Sequence, residues 1–232
     1  MPVSPSSSSA RAQLAAVAAE STTPLIRLPA AEPSRPAAVL ILFGVLDALP
    51  SDHDAQAAAV SSDLDVLLLA RASSLRSHPG QVAFPGGRAD PGDDGPVATA
   101  LREAREETGL DPAGVEVLGM LGSVPLSFSQ HLVTPVLAWW RRPSPVGVMD
   151  EAESADVFRA PVADLLAPAN RGVIVLERDG QEHRSPGFVV RQEGREHLVW
   201  GFTAMLLDAL FDRVGWTQPW DRARELPLEL LV

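Results

Sequence analysis

Cysteine is absent from the 232 residues, which excludes disulfides, thiolate zinc sites and a cysteine nucleophile together. Net positive charge is lacking as well, the formal charge being −11. So acidic a chain is a poor non-specific binder of nucleic acid, and a polyanionic substrate has to be received by local cations or a bound metal instead of a global field. No apolar run approaches the length of a membrane span. No lysine or arginine precedes the weakly apolar stretch bracketed by Arg11 and Glu20, so no secretory leader is expected. These absences predict a cytoplasmic protein with neither nucleic acid nor membrane as partner. The sequence also has no P-loop, GxGxxG, GxSxG or HExxH, which leaves kinase-like, dinucleotide-fold, serine-hydrolase and zincin chemistry without support. Aromatic residues make up only 5% of the chain, and the tryptophans, Trp139, Trp140 and Trp200 among them, are expected in packing roles, not as a base-stacking platform.

The 46% hydrophobic content is enough for one domain with a sizeable core. Residues 1–35, rich in Ser, Ala and Pro, read as a flexible tail or linker with one marginal helical stretch at Ala10 to Glu20, and residues 36–232 read as the domain. Strands are expected at Ala37 to Val45, Leu64 to Ala70, Gln81 to Phe84, Val115 to Gly122 and Leu132 to Trp140. Residues 173–177 and 187–190 read as a hairpin, and about Leu198 to Val214 as a final long helix. Strands mixed with amphipathic helices predict an α/β domain.

The chain is organised around Phe84 to Leu110, FPGGRADPGDDGPVATALREAREETGL. Pro96 is placed to open a helix and Gly109 to close it, with Val97, Ala100, Leu101 and Ala104 forming a core-facing stripe. Glu103, Glu106 and Glu107 then share one flank, while Arg102 and Arg105 project from other sides. Like charges at these spacings destabilise a helix by roughly 0.2 to 0.5 kcal/mol per pair. A hard divalent cation, which takes oxygen ligands, reverses that sign; a solvated charged face is the plainer alternative. In front of the helix Phe84 and Pro85 end a strand, and Gly86 and Gly87 are expected to turn the chain and let its backbone approach a phosphate.

Gly87 together with Arg102-Glu103-Ala104-Arg105-Glu106-Glu107-Thr108-Gly109-Leu110 resembles the Nudix box of hydrolases that cleave nucleoside diphosphates linked to another group. The spacing from Gly87 to Arg102 is one residue longer than the general pattern, and Asp93 or Asp94 stands at the acidic position before the helix. The longer spacing is shared by the coenzyme A pyrophosphatase branch. Residues 67–87, LLLARASSLRSHPGQVAFPGG, are similar to the upstream signature of that branch through Arg71, Arg76, Gly80, Phe84, Pro85, Gly86 and Gly87, with Leu69 where threonine is usual.

The resemblance implies an α/β/α sandwich with a mixed sheet that hydrolyses coenzyme A or its derivatives to adenosine 3′,5′-bisphosphate and 4′-phosphopantetheine. ADP-ribose or NADH as substrate, or a non-catalytic ligand-binding module, are the alternatives. It implies Mg²⁺ or Mn²⁺ held by Glu103, Glu106 and Glu107, and Arg102 orienting a helix carboxylate. The general base is left open among Glu103, Glu151 and Glu153. Arg71 and Arg76, with the Gly86-Gly87 backbone, are the expected substrate-binding residues, because arginine matches phosphate with a fork of donors. His78, in the same motif, is expected to be structural. A homodimer is expected by analogy of fold only.

Overall fold

The computed structural model describes residues 7–20, 23–29, 35–45, 60, 63–72, 80–127, 129–178, 180–192 and 194–227. Its centre is β1 (Arg35–Val45), and its apolar run is explained by burial on both faces. Ala38, Leu40 and Leu42 point into one cluster with Ala100 and Ala104 of α2 (Gly95–Thr108). Ile41 and Phe43 point into the other, with Leu14 of α1 (Ser7–Glu20) and Leu206, Leu207 and Leu210 of α4 (Gly201–Val214). A sheet with helices on both faces is the expected α/β/α sandwich.

β1 pairs in parallel with β7 (His131–Trp140), from Arg35 opposite His131 to Phe43 opposite Trp139. The sheet is completed by antiparallel pairings of β2 (Leu64–Arg71), β3 (Val82–Ala83), β4 (Gly86–Arg88), β5 (Val115–Met120), β6 (Val124–Leu126) and β8 (Ser154–Pro161), so it is mixed. After α3 (Val162–Leu166), β9 (Arg171–Arg178), β10 (Gln181–Gln192) and β11 (Arg195–Val199) form a separate antiparallel sheet. Trp139 and Trp140 are buried, as packing residues should be.

Three expectations are corrected. Residues 7–20 are no loose tail: they form α1, whose Ala10, Leu14, Val17 and Ala18 are buried in the main core. Side chains remote in sequence hold it, Trp216 Nε1 donating to Gln13 Oε1 at 2.7 Å and Arg11 pairing with Glu116. The glycine pair forms no simple turn, since Gly86 and Gly87 belong to β4 and oppose Val39 and Ala38 of β1. The last helix starts at Gly201, with Leu198 and Val199 ending β11, because β10 offers them strand partners at Val189 and Phe188.

Candidate active site

The acidic helix forms as its local signals dictate. Pro96 lies in the first turn, where its missing N–H is harmless, and Gly109 caps the C-terminus at φ 73°, donating its N–H to Arg105 O. Ala100 and Ala104 are buried, and Val97 and Leu101 pack half-buried beside them. That seating leaves the flank carrying Glu103 and Glu107 against β4.

Both glycines are demanded by close packing, Gly86 against β1 and Gly87 against the Glu103 carboxylate of α2. A Cβ on Gly86 would fall 2.4 Å from the Ala38 carbonyl oxygen, and one on Gly87 would fall 2.5 Å from the Glu103 carboxylate. Without side chains the strand comes close enough for the Gly86 N–H to donate to Glu107 Oε2 at 2.9 Å. The paired glycines thus position carboxylates, a role that the spacing alone did not reveal.

Burial dominates the electrostatics. It pushes the Glu107 carboxyl up to about 7, against the Gly86 N–H; Glu103 raises it further, Arg71 lowers it, and Glu153 raises it. Burial also raises Glu103, opposed by the neighbouring Arg102 guanidinium. Glu106 differs from both, being 59% exposed where Glu103 is 18%. The three glutamates therefore share a flank, as expected, but not an environment. Among the described residues no three His, Cys, Asp or Glu side chains form a ready metal-ligand cluster. The donors on the flank are nevertheless all carboxylate oxygens, two of them desolvated, the donor type that suits a hard divalent cation.

Arg102 does not project away from the carboxylates but curls back among them. Its Nε and Nη2 donate to the two oxygens of Asp93 at 3.0 Å each, and its Nη1 lies 2.9 Å from Glu106 Oε2 and 3.1 Å from Glu103 Oε1. Nη2 also donates to Arg88 O at 2.9 Å. Asp93, with Thr99 Oγ1 as a further donor at 2.9 Å, is held well below the usual carboxylate range, first by Arg102 and then by the Asp90 N–H. Asp93 is therefore the engaged member of the Asp93-Asp94 pair, while Asp94 makes no side-chain cap bond to α2. The anchoring role of Thr99 escaped sequence reasoning, because it depends on the loop folding back to bring Asp93 within reach of the hydroxyl.

Arg71 ends β2 with its Nε buried and without a hydrogen-bond partner among the described residues, electrostatically within reach of Glu107. Arg76 and His78 lie outside the described residues. Glu151 and Glu153 are exposed on one turn, where the Glu153 N–H donates to Asp150 O at 3.1 Å, and of the two it is Glu153 that acts on Glu107. The arrangement assembles an acid site beside a free arginine donor, a combination suited to binding a cation and a phosphate together.

The Nudix domain family matches residues 52–176. A protein of Photorhabdus laumondii named Nudix hydrolase NudL is 40% identical over 153 residues, 64% of this chain and 76% of its own. A protein of the same name from Yersinia pestis (strain Pestoides F) is 38% identical over 150 residues, 65% and 72% of the two chains. Among solved structures, a MutT/nudix family protein from Enterococcus faecalis shares 19% identity at a TM-score of 0.45, covering 82% of this chain and 65% of that one. A Caenorhabditis elegans Ap4A hydrolase complex gives 20% and 0.41, over 56% and 82%.

Proposed function

The chain belongs to the Nudix family, whose members hydrolyse nucleoside diphosphate derivatives, and from that premise we propose that it cleaves the diphosphate of coenzyme A or its derivatives. The observation that carries the catalytic part is the Glu103-Glu107 pair buried against the paired glycines of β4. Two desolvated carboxylates at i, i+4 repel each other, and a hard cation relieves that repulsion. Glu103, Glu106 and Glu107 would hold Mg²⁺ or Mn²⁺. Glu106 is tethered to Arg102 by an exposed pair, weak enough for its side chain to turn inward at little cost. When bound, the metal supplies neutralisation of the diphosphate oxygens and lowers the pKa of a coordinated water.

The remaining work falls to side chains of this protein. Arg102 fixes the Asp93 loop to α2 and holds Glu103 in place. Arg71, beside Glu107, donates to a substrate phosphate, with Arg76 from the same motif. A carboxylate, Glu103 or a glutamate of the 150–154 turn, takes the proton of the attacking water, the P–O–P bond breaks, and adenosine 3′,5′-bisphosphate and 4′-phosphopantetheine leave. Support for coenzyme A comes from Arg71, Gly80, Phe84 and Pro85 in the upstream signature and from the longer spacing of the box.

The test incubates purified protein and Mg²⁺ or Mn²⁺ with coenzyme A, ADP-ribose and NADH in parallel, and identifies products by mass spectrometry. Coenzyme A is expected to give the two named products at the highest kcat/KM. Preference for another of the three keeps the hydrolase and discards coenzyme A, and absence of any metal-dependent turnover discards both.

A further inference from the structure

Outside the carboxylate site, one edge of the sheet gathers positive charge. All 19 cationic side chains of this chain are arginines; several of those described pair with a carboxylate, while Arg35 and Arg88, both exposed, do not. Among the described residues neither makes an ion pair. Asp90, the nearest acid along the chain from Arg88, lies 3.9 Å from Arg102.

The sheet register brings these arginines together. Arg35 opposes His131 across the β1/β7 pair, and Arg88 of β4 opposes Ala37, two residues along β1. Side chains alternate along a strand, so Arg35 and Arg88 share the face of Ala37 and Val39, and His131 shares that of Val133. That face is opposite the one on which Gly87 meets Glu103. The segment entering β7 is bent to fit: Gln130 holds φ at 56°, the one non-glycine residue with positive φ among those described, while its carbonyl accepts from the Arg35 N–H at 2.8 Å. On either side of Gln130, Ser129 Oγ and His131 Nε2 are buried without a hydrogen-bond partner among the described residues. Burial followed by the positive charges of Arg88 and Arg35 lowers the His131 pKa, which places both arginines within electrostatic reach of the ring.

Two exposed guanidinium groups close enough to repel a histidine, whose ring nitrogen is buried and unsatisfied like the hydroxyl two residues before it, form a set of donors open to an anion. Each fault is corrected by one ligand type: a compact dianion that neutralises the arginines and accepts from the hydroxyl and an imidazole N–H. We propose that Arg35, Arg88, His131 and Ser129 form a binding site for a phosphomonoester dianion on the sheet face opposite the carboxylates. The phosphate belongs either to the remote monoester of a substrate, an assignment resting on the coenzyme A reading, or to free phosphate acting as an effector.

The test begins with binding in EDTA, so that no turnover is needed and the metal site takes no part. Calorimetric titration with inorganic phosphate and with adenosine 3′,5′-bisphosphate is made on the wild type, on R35A/R88A and on R35K/R88K. The wild type binds at least one probe, the alanine pair binds it tenfold or more weakly, and the lysine pair, keeping the charge, retains most of the affinity with an unchanged melting temperature. Equal affinity in wild type and alanine pair, or no binding of either probe to the wild type, overturns the site whether or not coenzyme A is a substrate.

Kinetics then separate the sources. A substrate monoester predicts a tenfold or larger rise in KM for coenzyme A in the alanine pair, with 3′-dephospho-coenzyme A unaffected. An effector predicts that inorganic phosphate alters wild-type kcat/KM and that the alanine pair loses this response.

Discussion

At the scale of single residues, Glu107 carries the most consequential charge in the site. Its carboxyl is pushed up to about 7 by burial. Because that value lies above the ordinary carboxylate range, the native protein binds a proton more readily than the unfolded chain between about pH 4.5 and 7. The stability it contributes is full below that window and is lost as pH rises through 7. Metal-free wild type should therefore lose roughly 1–3 kcal/mol relative to E107Q between pH 5 and pH 8. Urea unfolding of both proteins in EDTA measures this, and parallel pH curves would show that the carboxylate is not desolvated. Gly87 tests the same environment sterically: G87A places a methyl against the Glu103 carboxylate and should lower kcat by about 100-fold, the scale of a misplaced catalytic group. If G87A keeps wild-type kcat, Glu103 is not positioned by β4. The presence of three acids on one flank was legible from spacing alone. Their inequality was not, since it depends on a strand that the glycines were expected only to turn.

At the scale of elements, Arg102 joins the loop before α2 to the helix. One guanidinium binds both oxygens of Asp93, the Arg88 carbonyl and two glutamates, a set that a lysine ammonium cannot reach at once. If Glu103 and Glu106 hold a metal as proposed, R102K is expected to lower kcat about 10–100-fold, the usual effect of losing a group that orients metal ligands, with a smaller change in KM. An unchanged kcat would reduce Arg102 to a surface ion pair. The helix itself was legible because its signals are local: Pro96 inside the first turn, Gly109 beyond the last, and a stripe of small apolar residues between. β1, β2 and β7 were legible for a similar reason, long apolar runs with turn residues between them. β6 was not, because three residues, Val124–Leu126, carry no periodicity and gain strand form only by pairing with β7. Nor was β11, whose last residues continue smoothly into the apolar pattern of α4.

At the scale of the whole molecule, α1 decides where the folded unit begins. Its sequence argues weakly for order, with alanine supplying most of the apolar surface and Leu14 the one large side chain at its buried centre. Order comes instead from contacts over long sequence separation: Gln13 with Trp216, Arg11 with Glu116, and the packing of Leu14 in the core shared with α4. A Ser/Ala/Pro-rich composition cannot reveal such contacts, which is why these residues read as a tail. The two readings predict different thermodynamics. A tail residue truncated to alanine changes stability by less than about 0.5 kcal/mol, whereas a fully buried leucine in a core costs roughly 2–5 kcal/mol. L14A should fall in the second range by chemical denaturation. R11A, which loses only a solvent-screened pair, should leave stability nearly unchanged. Because α1 packs on the sheet face opposite α2, L14A should also leave kcat within about twofold at temperatures where the variant is folded, since substitutions that share no partners act independently. A near-neutral L14A would return residues 7–20 to the status of a tail, and a large loss of kcat in the folded variant would mean that α1 supports the site across the sheet.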